Sequence, residues 1–477
     1  MQHSSLSYVT GDHDVKVGYQ FNRGYINEYY YSVSNYPSGL RAIFRDGVPD
    51  SVNTYNTTTD SEMWESNHSV YAQDKWTPFR RLTINAGFRL QKTTGGSPAA
   101  CQVQTIFIAG QCFAEVKDAP NFLDVSPRLS LIYDIFGTGL TAVKVTANRY
   151  LLGLGTPYTA RVNPIKVTND TRSWTDRNND RIPQLEELGP SSGFNIGTTN
   201  RYSEEIKRPY SNELSVALEH QLPGAVAVSV AYYHRVIRRD IGSRNMAVPT
   251  DSYIPLQVVE KSSGQSVTVY NQASALRGKF DTLWDNVPEM DSDYNGVELN
   301  VRKRLSNRWM VMGGVGYGKN TGDIYNLATD RGDLNNPNYA FRRGVLAQDV
   351  PLSLKAVALY ELPYGISVSG SGQYFSGFPE IDTVSVGRDT ATLTQVTQVL
   401  TVAESGTNRL PSVKLFDLSV RRAFKSGRTS IEPVIDLFNL GNAGTITSRA
   451  TQLGPTYHRV TGILRARMVK FGVNVNF

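Results

Sequence analysis

Apolar and polar residues alternate one by one over stretches of about ten residues, again and again along this chain. In 82–90, Leu82, Ile84, Ala86, Phe88 and Leu90 point one way, and Thr83, Asn85, Gly87 and Arg89 the other. In 15–21, Val15, Val17, Tyr19 and Phe21 alternate with Lys16, Gly18 and Gln20. Segment 213–222 sets Leu214, Val216, Leu218 and Leu222 against Glu213, Ser215, Ala217, Glu219 and Gln221. Segment 366–374 sets Ile366, Val368 and Tyr374 against Ser367, Ser369, Ser371 and Gln373. Successive side chains on a strand point to opposite faces, so each segment is a strand with one apolar and one polar face. No run of about 18 apolar residues interrupts this pattern, so no membrane-spanning helix is available. The mean hydropathy of -0.33 agrees.

A soluble sandwich would alternate in the same way. Two features favour a membrane barrel. The strands match the 9–11 or so residues that cross a bilayer at a tilt. The connections also alternate between short and long. The short ones are 78–81, 136–139, 222–225, 305–308, 363–365 and 425–428; the long ones are 93–125, 151–209, 238–293, 320–350, 377–411 and 441–462. Tight turns on one side and large loops on the other are the pattern of outer-membrane barrels. Tyr29, Tyr30, Tyr31, Trp76, Tyr232, Trp309, Tyr360 and Tyr374 stand near expected strand ends, where a membrane-boundary girdle would put them. Aromatic residues favour strands in any case, so each is weak evidence alone.

The last segment is the sharpest. Val469, Phe471, Val473, Val475 and Phe477 alternate with Lys470, Gly472, Asn474 and Asn476, and the chain stops on Phe477. This resembles the C-terminal signal read by the barrel-assembly machinery. With Phe477 at the periplasmic end every strand gains a direction. Counting back gives about nineteen strands, the first running downward, where single-chain barrels generally have an even number. The count drops by two if 253–260 and 266–271 form a hairpin within a loop.

Several stretches resemble the Oar-like branch of TonB-dependent transporters. They are HDVKVGYQFNRG at 13–24, YAQDKW at 71–76 with RRLTINAGFRLQ at 80–91, and DVSPRLSLIYDIFGTGLTAVKVTANRY at 124–150. Later come YNGVELNVRKRLSNRW at 294–309 and IEPVIDLFNLGN at 431–442. The resemblance implies an all-β, large antiparallel transmembrane barrel of about 22 strands with long extracellular loops. In the family a plug fills the barrel, preceded by a segment that contacts TonB. Residues 1–477 read as one such barrel domain, N-terminally incomplete against that pattern, without plug, TonB segment or signal peptide. The implied role is substrate capture and uptake across the bacterial outer membrane. Outer-membrane lipid and the assembly machinery are the expected partners, and the TonB system only if an upstream plug exists. A plugless passive porin, a surface adhesin and a soluble β-sandwich enzyme are the alternatives.

Residues 176–187 resemble a twelve-residue EF-hand loop. Asp176, Asn178 and Asp180 fill positions one, three and five, Ile182 would offer its carbonyl at seven, and Glu187 would be the bidentate ligand at twelve. Arg181 stands where Gly usually makes the turn, and Asp and Asn are ordinary turn formers. A structural calcium is the only cofactor suggested. Gly189, Ser191 and Gly193 match G-x-S-x-G, but within a long polar loop and with Pro190 inside it, which is no setting for a nucleophile elbow. Arg331, Gly332 and Asp333 form an adhesion-type triplet of a kind that chance supplies.

The two cysteines, Cys101 and Cys112, would bridge in an oxidising compartment or remain free thiols. The six histidines (His3, His13, His68, His220, His234, His458) show no metal spacing, and no catalytic grouping stands out, so an enzyme is not expected. Lys and Arg number 49 against 43 Asp and Glu; the excess of +6 is dispersed and suggests no nucleic-acid partner. Arg89, Lys144, Glu213, Glu219, Arg235, Glu298, Arg302, Glu361, Glu432 and Asp436 fall on the polar phase. They read as solvated lining of a wide lumen, with plug contacts or a solute path as the functional alternative.

Overall fold

The computed structural model describes residues 1–30, 40–45, 47–57, 59–165, 169–191, 199–261, 264–277, 279–325, 332–387, 390–395 and 397–477. One antiparallel sheet of 17 segments dominates it. Two of these, Arg343–Val345 and Phe424–Ser426, are short continuations beside longer neighbours, which leaves fifteen long strands. They are β1 (Gln2–Thr10), β2 (His13–Tyr30), β3 (Thr59–Phe79), β4 (Leu82–Gly96), β5 (Asn121–Asp134), β6 (Thr141–Leu151), β7 (Tyr210–Leu222) and β8 (Val226–Arg238). There follow β9 (Ser292–Ser306), β10 (Trp309–Asp323), β11 (Leu352–Leu362), β12 (Ile366–Phe375), β13 (Val413–Arg422), β14 (Thr429–Phe438) and β15 (Met468–Asn476). Each pairs with the next in chain order. This is the up-and-down order of a barrel wall. Among the described residues β1 and β15 do not pair with each other, and both are exposed almost throughout.

The short turns predicted from sequence all fall at one end. A positive φ is needed where two strands turn in two residues. Asn307 and Arg308 supply it between β9 and β10, at φ 53 and 68. The large connections all lie at the opposite end, and the chain stops at the short-turn end, as expected. Against the expected count of about nineteen strands, the described residues give 17 segments in the wall, fifteen of them long. Tyr253–Val259 and Ser266–Gln272 pair only with each other, as a hairpin in the loop between β8 and β9. Other alternating stretches likewise form small sheets in the loops, because alternation marks a half-buried strand wherever it packs.

The period-2 registers give the wall two faces. Phe88, Leu90, Val216, Leu218, Val297 and Leu299 lie on an apolar face exposed to the surroundings. The polar face carries its own hydrogen bonds, such as Ser371 to Asp417 at 3.2 Å and Ser419 to Asp436 at 2.7 Å. An apolar exterior and a polar lumen are what a bilayer demands of a barrel. Trp76, Trp309 and Tyr360 sit at the short-turn end of the apolar face, as in a girdle. Tyr232 does not: it is the seventh of the thirteen residues of β8 and lies mid-strand. Tyr31 lies outside the described residues.

Candidate functional site: the lumen wall and the loops over it

The described parts of the long connections are folded, which their polar composition conceals. The loop after β6 carries a helix, α1 (Thr156–Val162), that packs against the upper ends of β2, β3 and β4. Thr159 Oγ1 donates to the Ala119 carbonyl at 2.5 Å, and Asn163 Nδ2 to Ser61 Oγ at 2.9 Å. Around it Phe122, Tyr158 and Ile241 form a buried cluster flanked by Tyr202 and Trp284, with Tyr158 and Tyr202 stacked at 4.0 Å. A second cluster, Val267, Val269, Val384, Val386, Leu393 and Leu400, joins the 253–272 hairpin to the loop between β12 and β13. Ion pairs fasten the loops further: Arg342 to Asp323 at 2.8 Å, Arg409 to Asp349 at 2.7 Å, and Arg449 to Glu380. Each links a loop to a strand end or to another loop.

Arg208 connects this tier to the wall. It is buried, and it donates to Thr93 Oγ1 and to the Leu152 carbonyl, both at 2.9 Å. Its guanidinium lies 3.8 Å from Asp124 on the lumen face of β5. Sequence reading passed over it, because an Arg beside a Pro in a polar loop carries no pattern.

The lumen face is built in lateral rows set by strand register. One row runs Lys16, Gln73, Gly87, Arg128, Asn148, Glu213, Arg235 and Tyr294 across β2 to β9. A Cβ on Gly18 would meet the Tyr71 ring at 2.4 Å, so Gly18 is the seat on which that ring lies. His3 Nε2 is 2.9 Å from the Tyr71 hydroxyl. Arg89 donates to Gln20 and Ser69 at 2.9 and 2.8 Å, and Lys144 pairs with Glu219 at 2.7 Å. The ten lumen residues expected from sequence fall on this one face. Lys16, Lys75 and Arg128 were not singled out. They were legible as polar-phase positions on β2, β3 and β5, but only register brings them together.

In the 176–187 loop the Arg181 objection is met: Arg181 takes φ 60, and Asn179 φ 59. Asp176 accepts the Arg181 N–H at 3.0 Å, Asn178 that of Asp180 at 3.0 Å, and Asp180 that of Ile182 at 2.7 Å. Glu187 is buried, and both its oxygens face N–H donors: Arg177 at 2.8 Å, the Trp174 indole at 3.1 Å and Gln184 at 3.4 Å. Burial alone would push the Glu187 carboxyl up. The N–H groups of Arg177, Trp174, Gln184 and Asn178 outweigh it and hold the carboxyl below its usual range. Asp176 Oδ1 is buried and unpartnered. Among the described residues no group of three or more His, Cys, Asp or Glu converges to hold a metal ion. A 3-10 turn, Leu185–Glu187, occupies the place of a flanking helix.

Cys101 and Cys112 are bonded across two short strands, Ala100–Gln102 and Gln111–Phe113. Ser191 donates to Asp170 and stands in a loop, not on a strand-to-helix elbow; Ser192 and Gly193 lie outside the described residues. Arg331 also lies outside them. Asp333 is half-buried and accepts the N–H groups of Asn245 and Asn335 at 2.9 and 3.0 Å, so it serves the loop's own backbone. Val469, Phe471, Val473 and Val475 line the outer face of β15, and Phe477 is almost fully exposed beyond it.

The comparisons agree with this architecture. The chain matches the outer membrane transporter YddB from Escherichia coli with a TM-score of 0.56 at 13% identity, over 99% of this chain and 52% of that one. It matches the ferric-catecholate import receptor Fiu from E. coli K12 with a TM-score of 0.52 at 14% identity, over 100% and 54%. The ferripyoverdine receptor of the Pseudomonas aeruginosa outer membrane gives 0.53 at 9% identity, over 99% and 47%. At these identities the likeness is one of fold, and the chain spans about half the length of these solved structures. No curated protein matches the chain in sequence. The family model for the outer membrane beta barrel domain matches residues 2–379, so this chain belongs to the outer membrane beta barrel domain family and resides in the bacterial outer membrane.

Proposed function

We propose that this chain is the barrel wall of a TonB-dependent receptor and transporter, whose folded loops capture a solute that then passes along the lumen. One observation carries the reading: a polar lumen wall is roofed by loops fastened inward to it, with Arg208 from the loop after β6 buried against Thr93 and Asp124. A capture tier tied to a conducting wall suits uptake better than adhesion, which needs no contact between loop and lumen. No catalytic role is proposed. The barrel-assembly signal is assigned to Val469, Phe471, Val473, Val475 and Phe477, and TonB engagement to a lumen-filling domain acting with this barrel.

Reconstituted conductance tests the reading. A transporter barrel that works with a separate gate shows no stable open level, and solute uptake in cells collapses when TonB is removed. Steady, large conductance from this chain alone, with uptake indifferent to TonB, would replace this reading with the passive porin. Binding to a surface partner without solute flux would replace it with the adhesin.

Calcium in the 176–187 loop is a second proposal. The left-handed Asn179 and Arg181 and the unpartnered Asp176 Oδ1 favour it. Binding would require Glu187 to exchange its N–H partners for the ion, with Asp176, Asn178, Asp180 and the Ile182 carbonyl as the other ligands. Terbium luminescence sensitised by Trp174 reads the site directly. The proposal predicts a saturable signal that E187Q abolishes; no signal in the native protein ends it.

A further inference from the structure

The lumen is electrically lopsided. Four cations stand on four consecutive strands in neighbouring rows of one face: Lys16 on β2, Lys75 on β3, Arg89 on β4 and Arg128 on β5. By register Lys16 and Arg128 share a row, Arg89 lies one row above it and Lys75 one row below. They line one recess of about 450 Å³. Lys16 with Lys75, and Arg89 with Arg128, are diagonal neighbours on adjacent strands, roughly 7–8 Å apart, and both pairs face the same recess. In these rows Asp14, directly across from Lys75, is the one carboxylate on this face of β2–β5. Among the described residues none of the four cations makes an ion pair within 4 Å. The partners of Arg89 are neutral, Gln20 and Ser69, and Arg128 lies 5.0 Å from the face of Tyr150.

The neighbouring regions are balanced. Higher on the same strands stand Glu65 and Asp124, and there the chain supplies its own cation, Arg208. Further round, Lys144 pairs with Glu219, and Arg421 lies 3.9 Å from Glu432. Solvated lining explains mixed charge; it does not explain one recess with four cations against the single carboxylate of Asp14, between regions whose charges pair. A fixed guanidinium with neutral partners, flanked by mobile ammonium groups, is the arrangement that receives an oxyanion.

We propose that the β2–β5 wall binds an oxyanion, carboxylate or phosphate, through Lys16, Lys75, Arg89 and Arg128. The proposal rests on the transport reading for its purpose but not for its test. The oxyanion comes either from a passing solute or from acidic side chains of a polypeptide that fills the lumen.

Titration calorimetry on the full chain folded in detergent, at low ionic strength, decides it. The probes are inorganic phosphate and hexaglutamate. Lys16→Gln and Lys75→Gln are the main variants, because among the described residues neither side chain has a hydrogen bond or ion pair to lose; Lys470→Gln, opposite Asp436 on β14, is the control. Folding is checked by circular dichroism and heat-modifiable migration. The expected result is saturable binding of at least one probe, weakened fivefold or more by each main variant and unchanged by the control. Phosphate binding that hexaglutamate does not displace assigns the site to a solute. Hexaglutamate binding at least tenfold tighter assigns it to a polypeptide. Absence of binding of both probes, or equal affinity in all variants, overturns the proposal. Binding without solute flux would sink the transport reading alone; flux without binding would sink this one alone.

Discussion

Replacing Arg208 with Met tests the coupling between loop and wall. The substitution keeps most of the volume and removes the charge. The native guanidinium makes two hydrogen bonds at 2.9 Å, to Thr93 Oγ1 and the Leu152 carbonyl. Hydrogen bonds from a charged group contribute about 1.5–3 kcal/mol each. Their loss also strands Asp124, whose Oδ2 is buried without a hydrogen bond. The total falls at about 3–5 kcal/mol, the range for breaking one side of a buried charge pair. Opening of the loop after β6 should then rise roughly 200- to 4,000-fold. Amide hydrogen exchange of peptides from 152–165 and 199–209, in detergent, reads this directly, while peptides from β9–β12 stay protected. Adding Asp124→Asn should recover about half the loss, since the stranded charge is then gone. Less than a tenfold rise in exchange for Arg208→Met would refute the view that this residue fastens loop to lumen.

Other substitutions and conditions probe separate parts. Gly377→Ala would drive a Cβ into the Leu410 carbonyl oxygen, so the backbone must move; it should destabilise by about 3 kcal/mol, seen as a lower melting temperature or yield of folded barrel. Gly472→Ala meets nothing within 4 Å and should change stability by less than about 0.5 kcal/mol. Reducing Cys101–Cys112, which are 11 residues apart, should loosen that hairpin by about 3 kcal/mol on the chain-entropy account, seen as faster exchange in 100–113 alone. Glu187 titrates below its usual value of 4.5, so its contribution is fully present above that pH and is lost as pH falls through the lower, folded value. Trp174 fluorescence should therefore be flat from neutral pH to about 4.5 and change only below it; a transition centred above 4.5 would contradict the N–H cage around the carboxylate.

The barrel wall was legible because its physics is local. A strand spanning a bilayer must alternate at every step, so 82–90 or 213–222 reveals both its faces in a few residues, and the turns reveal themselves by their shortness. The loop tier was not legible, because its clusters join residues far apart in the chain. Val267 and Val269 pack with Val384 and Val386 across more than a hundred residues, and each pair alone looks like a stray alternating fragment. The same two-residue period explains why loop hairpins inflated the strand count. The basic recess falls between these cases. Each of Lys16, Lys75, Arg89 and Arg128 occupies a visible polar-phase position, but the rows they share depend on registers set by turns and loops. The EF-hand-like spacing of 176–187 is visible in the sequence, but the partners of Glu187 include Trp174, which lies before the motif.

The central claim is that β1–β15 form a transmembrane wall with an apolar exterior and a wet lumen. Single-cysteine labelling along β4 in outer membranes, in a background where Cys101 and Cys112 are replaced by Ser, tests it most directly. Positions 83, 85, 87 and 89 should react with a small water-soluble maleimide. Positions 84, 86 and 88 should not react until the membrane is dissolved in detergent. Labelling that is uniform along the strand, or protein that leaves the membrane without detergent, would contradict the account.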